Sequence, residues 1–64
     1  MVKGIEIALM RKSLGKTVEM KVGDENITGN WHDIQLNTRT GLISGIYVGG
    51  RLYRLDEIGY IKVK

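Results

Sequence analysis

The chain has 64 residues, 42% of them hydrophobic, with no cysteine, no proline and a single histidine. That length allows one domain, residues 1–64, and leaves roughly 40% of the unfolded chain's surface wet after folding. Without cysteine there are no disulfides and no thiolate metal cages, so packing, helped by self-association, has to hold the fold together. Ten lysines and arginines against seven acids give a net charge of +3, a lean toward anionic partners and no more.

The charge is blocked along the chain. Residues 1–22 carry five bases and two acids, residues 23–38 carry Asp24, Glu25 and Asp33 without a base, and residues 39–64 return to five against two. Such blocks suit head-to-tail association or a basic face for nucleic acid; the plainer reading is a mixed solvated surface. The apolar run Ile5 to Met10 is six residues interrupted by Glu6, too short and polar for a signal peptide or a membrane span. A cytoplasmic protein with no membrane partner is expected.

In chain order, the first segment offers two periodicities. Ile5, Ile7 and Leu9 alternate as in a strand, whereas Ile7, Met10 and Leu14 fit a helical stripe, and Gly15 stands where a left-handed C-cap belongs. Residue propensities favour the helix over 5–14. From Lys16 the period is two: Val18, Met20 and Val22 face one way, Thr17, Glu19 and Lys21 the other. Gly23-Asp24-Glu25-Asn26 turns the chain. The next strand begins with Ile27, Gly29 and Trp31 in phase but continues with Ile34 and Leu36 on the opposite parity. A phase slip at His32-Asp33 therefore predicts a β-bulge or a barrel corner. Trp31 reads as a core anchor, with an exposed stacking or interface role as the alternative.

After the turn-rich loop Asn37 to Gly41, a strand runs over 42–48 and meets Gly49-Gly50, a pair suited to a type I′ turn. Pairing Val48 with Arg51 sets Tyr47 opposite Leu52, Ile46 opposite Tyr53, Gly45 opposite Arg54 and Ser44 opposite Leu55. Ile46, Val48, Tyr53 and Leu55 then form the core face, and Ile43, Tyr47, Leu52 and Arg54 the outer one. The spacing Leu55, Ile58, Ile61 predicts one turn of 3₁₀ helix, followed by a final strand with Tyr60, Lys62 and Lys64 outward.

These elements describe an all-β fold: a small five-stranded barrel of the Sm-like or Src-homology-3-like type, with a short N-terminal helix and a 3₁₀ turn before the last strand. The run Leu14-Gly15-Lys16-Thr17-Val18-Glu19-Met20-Lys21-Val22 resembles the helix exit and first strand of Sm-like proteins, and Ile27-Thr28-Gly29 places a glycine where their bent second strand has one. Residues Gly50 to Ile61 are similar to the end of bacterial and phage YolD-like proteins. The resemblance implies a binding module of phage or mobile-element type. The Sm uridine-binding signature, a basic residue followed by glycine before the last strand, is missing, so no Sm binding residue carries over.

Catalytic constellations are thin. His32 has no serine beside it in a recognisable elbow, and Asp33 points to the opposite face of a regular strand, so His32 reads as a surface or turn residue. Asp56-Glu57 reads as the acidic start of a 3₁₀ turn capping its own amides. The glycines at 45, 49 and 50 lack phosphate-loop spacing. No enzyme activity, cofactor, metal or small-molecule substrate is expected. The candidate site is Tyr47, Leu52, Arg54, Tyr60 and Lys62, a stripe able to stack bases and neutralise phosphates or to serve as a protein interface. Nucleic acid is the favoured partner, a protein the alternative, and a homo-oligomer the expected state.

Overall fold

A computed structural model describes residues 2–64. A helix α1 (Gly4–Leu9) and a 3₁₀ turn (Arg11–Ser13) precede strands β1 (Thr17–Val22), β2 (Glu25–Leu36), β3 (Ile43–Val48) and β4 (Arg51–Arg54). A second 3₁₀ turn (Leu55–Glu57) leads into β5 (Ile58–Val63). The strands form one antiparallel sheet in the order β4-β3-β2-β1-β5. Among the described residues no ladder joins β4 to β5, so the sheet is bent but not closed into a barrel. No helix among them is long and apolar enough to cross a membrane.

The bend lies in β2. Its first half pairs with β1, from Val22 opposite Glu25 to Thr17 opposite Asn30, and its second half pairs with β3, starting at Trp31 opposite Val48. The register then slips so that Asp33 faces Tyr47, leaving His32 as the extra residue. This is the bulge read from the change in parity, and it lets Trp31 and Ile34 both turn inward. A second slip falls between Gln35 and Leu36.

Trp31 is fully buried. Its indole N–H donates to the Ser13 carbonyl at 2.8 Å, its backbone N–H donates to Lys16 O, and its carbonyl accepts from Gly15 N–H at 2.7 Å. Ile7, Val18, Met20, Ile46, Val48, Tyr53, Leu55 and Ile58 complete a single core together with Val2. The core anchor reading of Trp31 therefore holds.

The N-terminal helix is shorter than the pattern predicts. It ends at Leu9, and residues 11–13 tighten into the 3₁₀ turn, where both the backbone N–H and the hydroxyl of Ser13 donate to Met10 O. Gly15 has positive φ, but its N–H bonds to Trp31, so it ends the turn and joins the sheet instead of capping a long helix.

The hairpin register is as read, from Val48 opposite Arg51 to Gly45 opposite Arg54, with Gly49 and Gly50 at φ 59° and 83°. The expected pair Ser44 with Leu55 does not form, because Leu55 leaves the ladder to begin the 3₁₀ turn. Ile43 is also not on the outer face: at the strand's start, past the Gln35–Leu36 slip, it packs against the core beside Gly4 of α1. A Cβ at Gly45 would lie 2.8 Å from Tyr53 O, a backbone atom that cannot yield without moving β4.

Two substitutions test this reading by urea unfolding. Trp31→Phe should lower stability by about 1–3 kcal/mol, since it removes the bond to Ser13 and leaves unfilled space. Gly45→Ala should cost about 1–3 kcal/mol through overpacking against β4.

Candidate functional site

The five residues singled out from sequence occupy two separated places. Tyr47, Leu52 and Arg54 lie on β3 and β4 at one side of the sheet, whereas Tyr60 and Lys62 lie on β5 at the other, with β2 and β1 between them. Alternation along each strand could not show this, because the placement of β5 beside β1 rests on a contact between distant parts of the chain.

On the β3–β4 half, Tyr47 faces Leu52 on one side and Asp33 on the other. Tyr47 and Leu52 are half-buried. Gly45 leaves room for Leu52 Cδ1 and Gln35 Oε1, which come within 3.1 and 3.5 Å of where its Cβ would be. Arg54 Nη2 sits 3.1 Å from Asp56 Oδ2, and Glu57 accepts from the Arg54 backbone N–H at 3.4 Å. Glu57 thus caps the start of the 3₁₀ turn as expected, whereas Asp56 meets the Arg54 guanidinium instead of an amide, in a surface pair that contributes little.

The bulged His32 is exposed, and its Nε2 accepts a 3.0 Å hydrogen bond from Gly50 N–H at the hairpin tip. Its ring centroid is 6.3 Å from that of Tyr47, tilted by 31°. His32 therefore ties the bulge to the β3–β4 turn. Among the described residues there is no group of three or more His, Asp or Glu side chains placed to hold a metal ion.

The β1–β5 half has a different character. Tyr60 stands directly opposite Lys21, and Lys62 opposite Glu19; across the β1–β2 ladder the same rows continue to Asn26 and Thr28. Tyr60 is 41% exposed, enough to offer a ring face. Lys62 Nζ lies 3.6 Å from Glu19 Oε2 with its own side chain 64% exposed, a surface pair that contributes little and exchanges readily. Lys64 continues the strand, its N–H donating to Thr17 O. Lys21, Thr28 and Asn26 are the residues that sequence reading missed. Lys21 had been placed on a wet face, but only the β1–β5 register sets it against Tyr60.

Compared with known proteins, the chain matches no family model, no curated protein and no solved structure.

Tyr60 and Tyr53 offer a direct contrast, one exposed, the other buried under the Arg51 guanidinium at 5.4 Å. Tyr60→Ala should leave the unfolding midpoint within about 0.5 kcal/mol of the parent. Tyr53→Ala should cost about 2 kcal/mol or more in the same denaturant titration.

Proposed function

We propose that this chain is a non-enzymatic binding module of the Sm-like small-barrel type, left open between β4 and β5, that binds single-stranded nucleic acid in the cytoplasm. The observation that carries the reading is the exposed ring of Tyr60 set between Lys21 and Lys62 on one sheet face. A base stacks on the tyrosine while the flanking ammonium groups meet phosphates, the combination that single-strand binders use. The net charge of +3 and the resemblance of residues 14–22 and 27–29 to Sm-like proteins support the same reading.

A protein partner on the β3–β4 half is the second reading. It is favoured by Tyr47 and Leu52, half-buried cross-strand neighbours that form a mixed apolar patch beside Arg54 of the kind found at interface hot spots.

Titration of a labelled single-stranded oligonucleotide at several salt concentrations separates the two. Affinity should fall steeply with salt, Lys21→Ala and Lys62→Ala should each flatten the log–log slope by about 0.7, and Tyr60→Ala should cost about 1–3 kcal/mol. Binding that ignores these three changes but is lost in Tyr47→Ala or Arg54→Ala would move the site to the β3–β4 half.

The same proposal includes self-association. Among the described residues β4 and β5 each pair with one strand only, and apart from Ile58 O, which accepts from Val2 N–H, both edges offer backbone groups to further strands. Sedimentation at tens of micromolar should show species heavier than the monomer; a monomer alone would remove this part of the proposal.

A further inference from the structure

The middle of the β1–β5 face holds a group that the proposed phosphate contacts do not use. Glu19 lies there on the same side of β1 as Lys21, between Lys62 on β5 and Thr28 on β2. Among the described residues it is the one aspartate, glutamate, lysine or arginine that is not exposed. Its side chain is 28% exposed, against 64% for Lys62. Because β1 is paired on both sides, neighbouring strands flank the carboxylate, and less freedom remains for a ligand to remove.

Little within the chain occupies that carboxylate. Lys62 Nζ at 3.6 Å is beyond hydrogen-bond distance, and among the described residues no backbone or side-chain donor bonds to Glu19. The next polar groups along the face are committed to each other: Thr17 Oγ1 donates to Asn30 Oδ1 at 3.0 Å, and Asn30 Nδ2 donates to Gly15 O at 3.1 Å. A phosphate that draws Lys62 away leaves Glu19 an acceptor without a donor. On a face that binds a polyanion, an acid lowers affinity unless the ligand brings hydrogen-bond donors to it. Base edges bring donors, and phosphates do not.

We propose that Glu19 selects guanine at this site, an inference that rests on the single-strand reading above. Tyr60 stands opposite Lys21, two residues along β1 from Glu19, which sets the stacking ring and the carboxylate about 7 Å apart in the strand direction. A base lying on the ring reaches the carboxylate with its edge. Both carboxylate oxygens accept, and guanine is the base whose Watson–Crick edge carries adjacent ring and amino N–H donors to fill them. Adenine and cytosine set an amino group beside a bare ring nitrogen, and thymine and uracil set a ring N–H between carbonyl oxygens. Each of these turns a lone pair toward the acid. An arginine side chain of a protein partner has the same paired donors, but Lys21 and Lys62 oppose a further cation here.

The probes are labelled single strands of roughly 12 nucleotides, all thymine or with guanine, adenine or cytosine at every third position, titrated against the full chain by fluorescence anisotropy. The guanine strand should bind about fivefold or more tighter than each of the others. Glu19→Gln should bring the strands to within about twofold of one another, because an amide keeps a single acceptor oxygen, while affinity for the all-thymine strand stays equal or rises as the negative charge is removed. Hypoxanthine in place of guanine lacks the amino group and should lose most of the preference on the unaltered chain, a result that needs no variant to fold. Equal affinity for all strands, or a guanine preference that survives Glu19→Gln or hypoxanthine, overturns the role of Glu19 and leaves the single-strand reading standing. Absence of salt-dependent binding to any strand removes both. Guanosine monophosphate competing as strongly as the guanine strand upholds the guanine site and removes the strand as its ligand. A labelled arginine-containing peptide that saturates the parent chain but not Glu19→Gln, while the strands show no base preference, also overturns the proposal.

Discussion

Trp31 organises this molecule. It stands where β2 stops pairing with β1 and begins pairing with β3, so the one large indole lies at the point of greatest bend. In a 64-residue chain that can bury only a modest core, a residue of this size contributes a large share of the apolar burial. Its polar edge matters as much as its area. The N–H to Ser13 O bond ties the 3₁₀ turn to the sheet, and the backbone bonds to Gly15 and Lys16 extend the β1–β2 pairing beyond β1 itself. Helix, turn and sheet meet at this side chain, and among the described residues no buried side-chain nitrogen or oxygen is left without a partner.

The bulge next to Trp31 sets what the surface can offer. With His32 as the extra residue, Trp31 and Ile34 both face the core despite their odd spacing, while Asp33 is carried to the outer row beside Tyr47. His32 then bonds to Gly50 and fixes the hairpin tip against β2. The consequence is electrostatic. The β3–β4 outer face receives Asp33 beside the Arg54–Asp56 pair, while the β1–β5 face carries Tyr60 with Lys21 and the Lys62–Glu19 pair. The two halves of one sheet thus differ in the side chains they present.

Much of the fold was legible because it depends on local rules. Alternation located β1, the paired glycines at 49 and 50 located the hairpin and its register, and the change of parity after Trp31 located the bulge. Less legible was the segment 4–15, where helix propensity pointed to a longer helix than the one that forms. There the Trp31 indole and the Gly15–Trp31 backbone bond, made by a strand sixteen residues away, outcompete another turn of helix. Ile43 was misplaced for a related reason: strict alternation fails past a register slip, and the packing of α1 claims that side chain for the core.

By itself, the sequence determined which side chains face in and which face out along each regular strand, since the two-residue period of a β-strand is a local property of the backbone. It also determined the turn at the glycine pair and the absence of any thiol chemistry. Only the tertiary structure decided which outward residues share a surface. The expected stripe of Tyr47, Leu52, Arg54, Tyr60 and Lys62 divides because β5 pairs with β1 and leaves β4 at the far edge, and Lys21 joins Tyr60 through that same pairing. The order of strands in a sheet is settled by long-range burial around Trp31, and no period along the chain encodes it.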